Sequence, residues 1–217
     1  IAQCCSCDRS NVIVKTDSDP RNEYDEIKDE DPYQSKLETA EMGQADPKAQ
    51  DQVGSGRVME LLKELETSRK EKDCFYKAEK LSKEYNSECV AIPEDVSTLT
   101  GIDKLFDKFC KYENNLDILV NNAGQFFLKP IMETTLEDFN QICSVNIDGA
   151  WLGMKYCLPE MNDGGAIVNV SSLMGQMGLP DASGYCASKG AVTSMTKSAA
   201  LEVANRNIKI NALHTGV

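Results

Sequence analysis

The sequence predicts an α/β fold built on a doubly wound parallel sheet, and three observations carry that prediction. From about residue 88 onward, short β-branched runs alternate with longer amphipathic stretches of helical period. Most of the runs are nearly continuous in apolar residues, which suits strands covered on both faces. The order strand, helix, strand, helix, strand, helix, strand then demands right-handed crossovers and places ligands at the carboxyl ends of the strands.

The elements follow in chain order. Residues 1–56 hold thirteen Asp or Glu against six Lys or Arg, a net charge of −7, with little apolar periodicity. Such an acidic segment reads as disordered, and its one strand-like run is Asn11-Val12-Ile13-Val14-Lys15. The folded domain is assigned to residues 57–217 and is clearest from residue 87. It opens with helical patterning, in which Val58, Leu61, Leu62 and Leu65 share a face and a second piece covers Tyr76 to Tyr85. A strand at Cys89-Val90-Ala91-Ile92 comes next, then a helix with Ile102, Leu105, Phe106 and Phe109 at i, i+3, i+4 and i+7. The strand Ile118-Leu119-Val120 precedes a helix for which Thr134 and Glu137 offer a capping box, lined by Phe139, Ile142, Ala150 and Met154. The strand Ala166 to Val170, a helix from near Tyr185 to about Ala204, and the strand Ile208 to Ala212 complete the series.

A chain of 217 residues, 41% hydrophobic, can bury one good core and carry an appendage. A net charge of −12 argues against nucleic acid and anionic membranes as partners, and no apolar stretch approaches the ~20 residues of a membrane span. Nine cysteines scattered through apolar segments indicate reduced, cytoplasmic usage, with Cys143, Cys157 and Cys186 as free thiols. Cys4, Cys5 and Cys7 lack a fourth ligand, the single histidine being the distant His214, so no metal site is expected.

Chemistry concentrates in the second half. Tyr185 and Lys189 stand four apart, one helical turn from each other, so an ammonium lies beside a phenol that can give or take a proton. Ser172 follows the strand Ala166 to Val170 and so lies at the ligand edge, where its hydroxyl can bond a carbonyl or alkoxide; Ser171 is the neighbouring alternative. The run Asp117 to Gly124 ends a buried strand in two amides and two small residues, which suits close approach of a planar ligand. Asn146 is an amide in an otherwise apolar helix.

Asp95-Val96-Ser97, Asn121-Asn122-Ala123-Gly124, Ser144-Val145-Asn146, Ile167 to Ser172, Tyr185-Cys186-Ala187-Ser188-Lys189 and Ile210-Asn211-Ala212 together closely resemble the short-chain dehydrogenases/reductases. The resemblance implies a Rossmann-like sheet and hydride transfer between NAD or NADP and a secondary alcohol or ketone. It makes Tyr185 the acid/base, Ser172 the substrate-orienting hydroxyl, and Lys189 the group that assists the tyrosine and holds the nicotinamide ribose. Asn146 would position a relay water. Asp95 and Val96 would contact adenine, and the region of Asn122, Ala123 and Gly124 the adenosine ribose. Residues 149–156 and 182–201 resemble the NAD-linked secondary-alcohol and hydroxysteroid dehydrogenases, which implies a small hydrophobic alcohol or ketone as substrate and a homodimer or homotetramer.

The pattern departs from the family at both ends, so the expected sheet is incomplete there. The family's Thr-Gly-x-x-x-Gly-x-Gly turn falls on residues 49–56, where only Gly54 and Gly56 keep their glycines and Asp51 adds negative charge where phosphate docks. Only residues 73–76 are available for the second strand, with Val12 to Val14 the best substitute for a lost central strand. The expectation is an intact tetrad with weakened pyrophosphate contacts. The rival reading is a non-catalytic member that keeps the fold for self-association or binding.

Overall fold

The computed structural model describes residues 2–3, 11–15, 72–113 and 115–216, all of which belong to one unit. Strand β1 is Ala2–Gln3 and β2 is Asn11–Lys15. Residues 72–85 form helix α1, and β3 is Glu88–Ile92. Helix α2, Leu99–Tyr112, leads to β4, Leu116–Asn121. Helix α3, Leu136–Cys143, passes through a π-helical turn, Ser144–Asp148, into α4, Gly149–Glu160. Strand β5, Met161–Ser172, runs through a 3-10 turn, Leu173–Gly175, towards α5, Ser183–Glu202. Strand β6 is Lys209–Thr215.

These strands form one sheet in the order β3-β2-β1-β4-β5-β6. Strands β4, β5 and β6 are parallel neighbours, and β1 is parallel to β4. Strand β2 runs antiparallel to both β1 and β3. The sheet is therefore the doubly wound parallel arrangement expected, with one reversed strand, β2, that the sequence does not announce. Strand β2 is the apolar run Asn11 to Lys15, so this part of the acidic segment is an element of the sheet. Residues 73–76 are helical in α1 instead of a strand, because the apolar set Cys74, Ala78 and Leu81 repeats with helical spacing. The domain boundary drawn at residue 57 lies outside the described residues.

Alternation along β3 shows how helices cover both faces. Val90 and Ile92 turn towards the main core, which holds Ile102, Leu105, Phe106 and Phe109 of α2, Met154 and Cys157 of α4, Leu119 of β4 and Ile167 of β5. Cys89 and Ala91 turn the other way and pack against Cys74 and Ala78 of α1. Helix α2 starts where expected because the Thr98 side chain accepts from the Gly101 N–H, satisfying one of the free donors of its first turn.

Two local details differ from expectation. The capping box belongs to Thr135 and Asp138, one residue later than the pair Thr134 and Glu137; Thr134 instead bonds its hydroxyl to the Lys129 and Pro130 carbonyls. The helix around Asn146 is interrupted by the π turn, which inserts the amide into the core. Among the described cysteines, Cys74, Cys89, Cys110, Cys143, Cys157 and Cys186 are all free thiols. No helix among the described residues is long and apolar enough to cross a membrane.

Candidate functional site

Strand β5 delivers two serines to the carboxyl edge of the sheet, and their surroundings separate them. Ser171 is buried and spent on α5, donating to the Lys189 carbonyl at 3.0 Å and lying 2.9 Å from the Thr193 hydroxyl. Ser172, opposite Thr215 of β6, accepts from the Met174 N–H at 3.2 Å through its hydroxyl oxygen. Its own O–H is left to be donated.

Tyr185 lies in the first turn of α5, half-buried, its ring edge-on to Phe126 with centroids 4.8 Å apart. Lys189 follows one turn later and is 5% exposed. Its ammonium donates to the Val170 carbonyl of β5 at 2.8 Å and lies 5.9 Å from the centre of the Tyr185 ring. Burial pulls its pKa down from the usual lysine range to about 8. An ammonium carries three donors, so two remain beyond the Val170 bond.

Asn146 is 1% exposed and held on three sides. Its Oδ1 accepts from the Gln125 N–H at 2.7 Å, and its Nδ2 donates to the Gln125 carbonyl at 3.0 Å and to the Ser188 hydroxyl at 2.9 Å. Ser188 in turn donates to the Tyr185 carbonyl at 2.8 Å. The π turn that carries Asn146 is thus tied both to the segment after β4 and to the first turn of α5. Gly124 closes the group: a Cβ there would stand 3.4 Å from both Asn146 Oδ1 and Lys189 Nζ. A Cβ there would touch both groups, and a side chain longer than alanine's would compete with a ligand for the space beside them.

The remaining expected residues line the same edge. Asp95 and Val96 follow β3; the Asp95 carboxylate accepts from the Ser97 N–H at 3.0 Å and the Ser97 hydroxyl at 2.6 Å, and Val96 is fully buried. Asn122, Ala123 and Gly124 follow β4. Beneath them, Asn121 Nδ2 donates to Asn169 Oδ1 at 2.8 Å, and Asn169 Nδ2 to the Thr196 hydroxyl at 2.9 Å, so buried amides fasten β4, β5 and α5 together. Gly54 and Gly56, with the rest of the 49–56 turn, lie outside the described residues.

Sequence reasoning missed Gln125, Phe126, Ser188 and His214. The first two continue directly from the Asn121-Asn122-Ala123-Gly124 run, a signal that was present. His214, weighed only as a metal ligand, lies with Nδ1 3.1 Å from the Ser172 carbonyl. An apolar cavity of about 400 Å³ lined by Ile131, Leu136, Phe139 and Ser183 opens beside the start of α5.

A family model described as enoyl-(acyl carrier protein) reductase matches residues 66–217. The chain is 42% identical over 113 residues to cyclopentanol dehydrogenase of Comamonas sp. (strain NCIMB 9872), covering 51% of this chain and 45% of that protein. It is 37% identical over 130 residues to the NADP-dependent (R)-specific alcohol dehydrogenase of Lentilactobacillus kefiri, covering 58% of this chain and 52% of that one. It spans about half the length of these relatives. A dehydrogenase/reductase structure from Sinorhizobium meliloti 1021 superposes with a TM-score of 0.59 at 30% identity, covering 62% of this chain and 54% of that one. Motifs, sheet and matches converge, and the chain belongs to the short-chain dehydrogenase/reductase family.

Proposed function

We propose that this chain is an oxidoreductase that interconverts a secondary alcohol and a ketone with NAD or NADP. The observation that carries this reading is the Lys189 ammonium, buried between the Tyr185 ring and Gly124 with two donors unspent. A buried charge is costly unless something uses it, and one carbonyl bond is little compensation. The donors fit the hydroxyls of a ribose, and Gly124 leaves the room one needs. Asp95 and Val96 would hold the adenine and Asn122 to Gly124 the adenosine ribose.

When bound, the nicotinamide supplies or takes up the hydride. The chain's own residues handle the proton and the oxygen. Ser172 donates its free O–H to the substrate oxygen, and the Met174 N–H behind it keeps the hydroxyl oriented. Tyr185 gives the proton to that oxygen in reduction and takes it in oxidation. Lys189 holds positive charge beside the phenol, and Asn146, locked by Gln125 and Ser188, positions a water that carries the proton onward.

The exposed side chains of Phe126, Leu128, Leu173, Met177 and Leu179 favour a small hydrophobic substrate. The relative named for cyclopentanol and the one named NADP-dependent fit this class. Self-association as a homodimer or homotetramer accords with exposed Trp151 and Leu201 and with the small exposed residues Ala187, Ser194 and Ser198 on α5. A reducing, cytoplasmic setting accords with the free thiols.

Reduction of cyclopentanone, followed by loss of NADH or NADPH absorbance, tests the reading. Tyr185→Phe should lower kcat by roughly 10²–10⁴ while leaving the fold intact. Undiminished turnover in that variant would refute the role of the tyrosine.

A further inference from the structure

The last residues of β6 turn their side chains onto the end of β5. Thr215 Oγ1 donates to the Ser171 carbonyl at 3.4 Å, and His214 Nδ1 lies 3.1 Å from the Ser172 carbonyl. The far side of the His214 ring is also engaged, with Nε2 3.3 Å from Gln176 Nε2. Ser172 and Gln176 bracket the 3-10 turn Leu173–Gly175. Ser172 caps its start through Oγ, and the Gln176 N–H closes its end on the Leu173 carbonyl at 2.9 Å. One imidazole therefore spans the turn from end to end.

The chemistry of the two partners fixes the proton on the neutral ring. A carbonyl oxygen only accepts, so Nδ1 must carry the hydrogen; Nε2 is then the acceptor for an amide N–H of Gln176. The Nε2–H form would fail twice, setting a lone pair against the carbonyl and a donor against a donor. Only one tautomer satisfies the turn.

We propose that His214 is a positioning residue for Ser172, a reading that rests on Ser172 being the hydroxyl that holds the substrate oxygen. His214 touches no reacting atom. It fixes the Ser172 carbonyl on one side and Gln176 on the other. The turn between them carries the Met174 N–H, which sets the direction of the Ser172 hydroxyl. Precision of that order matters, since a small misplacement of a catalytic group costs rate without weakening binding in proportion.

His214 is the single histidine of the chain, so nitrogen-15 labelling of histidine yields one imidazole signal set. At mildly alkaline pH, where an ordinary imidazole is neutral, the ring should show the Nδ1–H tautomer. Gln176→Leu should then shift the Nε2 resonance and leave Nδ1 in place. A ring in the Nε2–H form, or exchanging between both forms, overturns the proposal with no variant needed.

The kinetic arm uses the full chain. His214→Ala should lower kcat roughly tenfold to a hundredfold with KM within about twofold. His214→Asn, which keeps a donor near the Nδ1 position, should recover most of that loss, and His214→Gln, whose amide lies one bond further out, should not. Equal losses in the Ala and Asn variants, or no loss in either, overturn the proposal. If the unsubstituted chain turns over no substrate while its ring is the Nδ1–H tautomer, the functional reading falls and the strut across the turn stands.

Discussion

The two halves of the sheet are joined by different means. On one side, β5 pairs with β6 over seven register positions, Ala166 to Ser172, and the amides of Asn121 and Asn169 tie β4 and β5 to Thr196 of α5. On the other side, β2 and β3 pair over five positions, and among the described residues the sheet pairing between the halves is Ala2 with Val120, while the core around Ile92, Leu119 and Ile167 is shared. Asn146, Ser172, Tyr185 and Lys189 all stand on the well-tied half. Asp95 and Val96 follow β3, whose sheet partner is β2, although Val96 itself packs in the shared core. The proton chemistry and adenine recognition proposed above would thus rest on strand pairings of different extent.

The largest effect expected from testing this contrast comes from Lys189. Its pKa is about 8 in the folded chain, below the value of about 10.4 for a solvated lysine, because burial disfavours the charge. Below about pH 8 both states bind the proton, and the native state bears the full cost of the buried ammonium. As pH rises from there towards about 10, the native state has released the proton and the unfolded state has not, so stability should rise by about 3 kcal/mol. Lys189→Met should remove that rise and abolish turnover, as denaturant titrations across this pH range would show. A parallel pH dependence in the variant would mean that the charge is not buried as described.

The next test addresses the weaker half directly. Ile13→Pro removes a backbone donor in the middle of the β2–β3 ladder, opposite Val90, and should cost about 2 kcal/mol locally. Amide exchange at Val90 and Ala91 should accelerate while Ile167 and Ile210 keep their protection. Equal acceleration in both halves would show that they unfold as one and would break the comparison. The smallest effect belongs to Thr135→Ala, which removes the cap of α3 and should cost about 1 kcal/mol in thermal unfolding. The Asp138 carboxyl, held at about 2 chiefly by the bond from Lys129 and then by those from Thr135, stabilises the chain above the ordinary carboxylate pKa. That contribution should fade as pH falls towards 2.

What the sequence makes legible follows the same division. Strands β3 to β6 announce themselves because runs such as Ile167-Val168-Asn169-Val170 are rich in β-branched residues and leave no position of the run exposed, and α2 because Ile102, Leu105, Phe106 and Phe109 fall on one stripe. The placing of Ser172, Tyr185 and Lys189 on β5 and α5 follows from those elements. The π turn at Asn146 leaves no periodic trace, since one added residue is hidden within two otherwise regular helices. The reversal of β2 is equally silent, because strand direction depends on partners far along the chain. The His214 contact arises from register: Ser171 faces His214 across β5 and β6, and no local pattern encodes that pairing.

The lone reversed strand also sets an order of assembly. Strand β1 finds its parallel neighbour only at Val120, and β2 finds β3 only at residues 88–92, so both precede their partners by a long stretch of translation. The pairs β4–β5 and β5–β6 close over shorter separations and cost less chain entropy to form. The β4–β5–β6 half should therefore condense first and serve as the template on which β1 and β2 dock later. Until they do, the β4 edge lies open to any other extended chain, which makes synthesis and refolding, rather than the finished fold, the stage at which this protein is most exposed to aggregation.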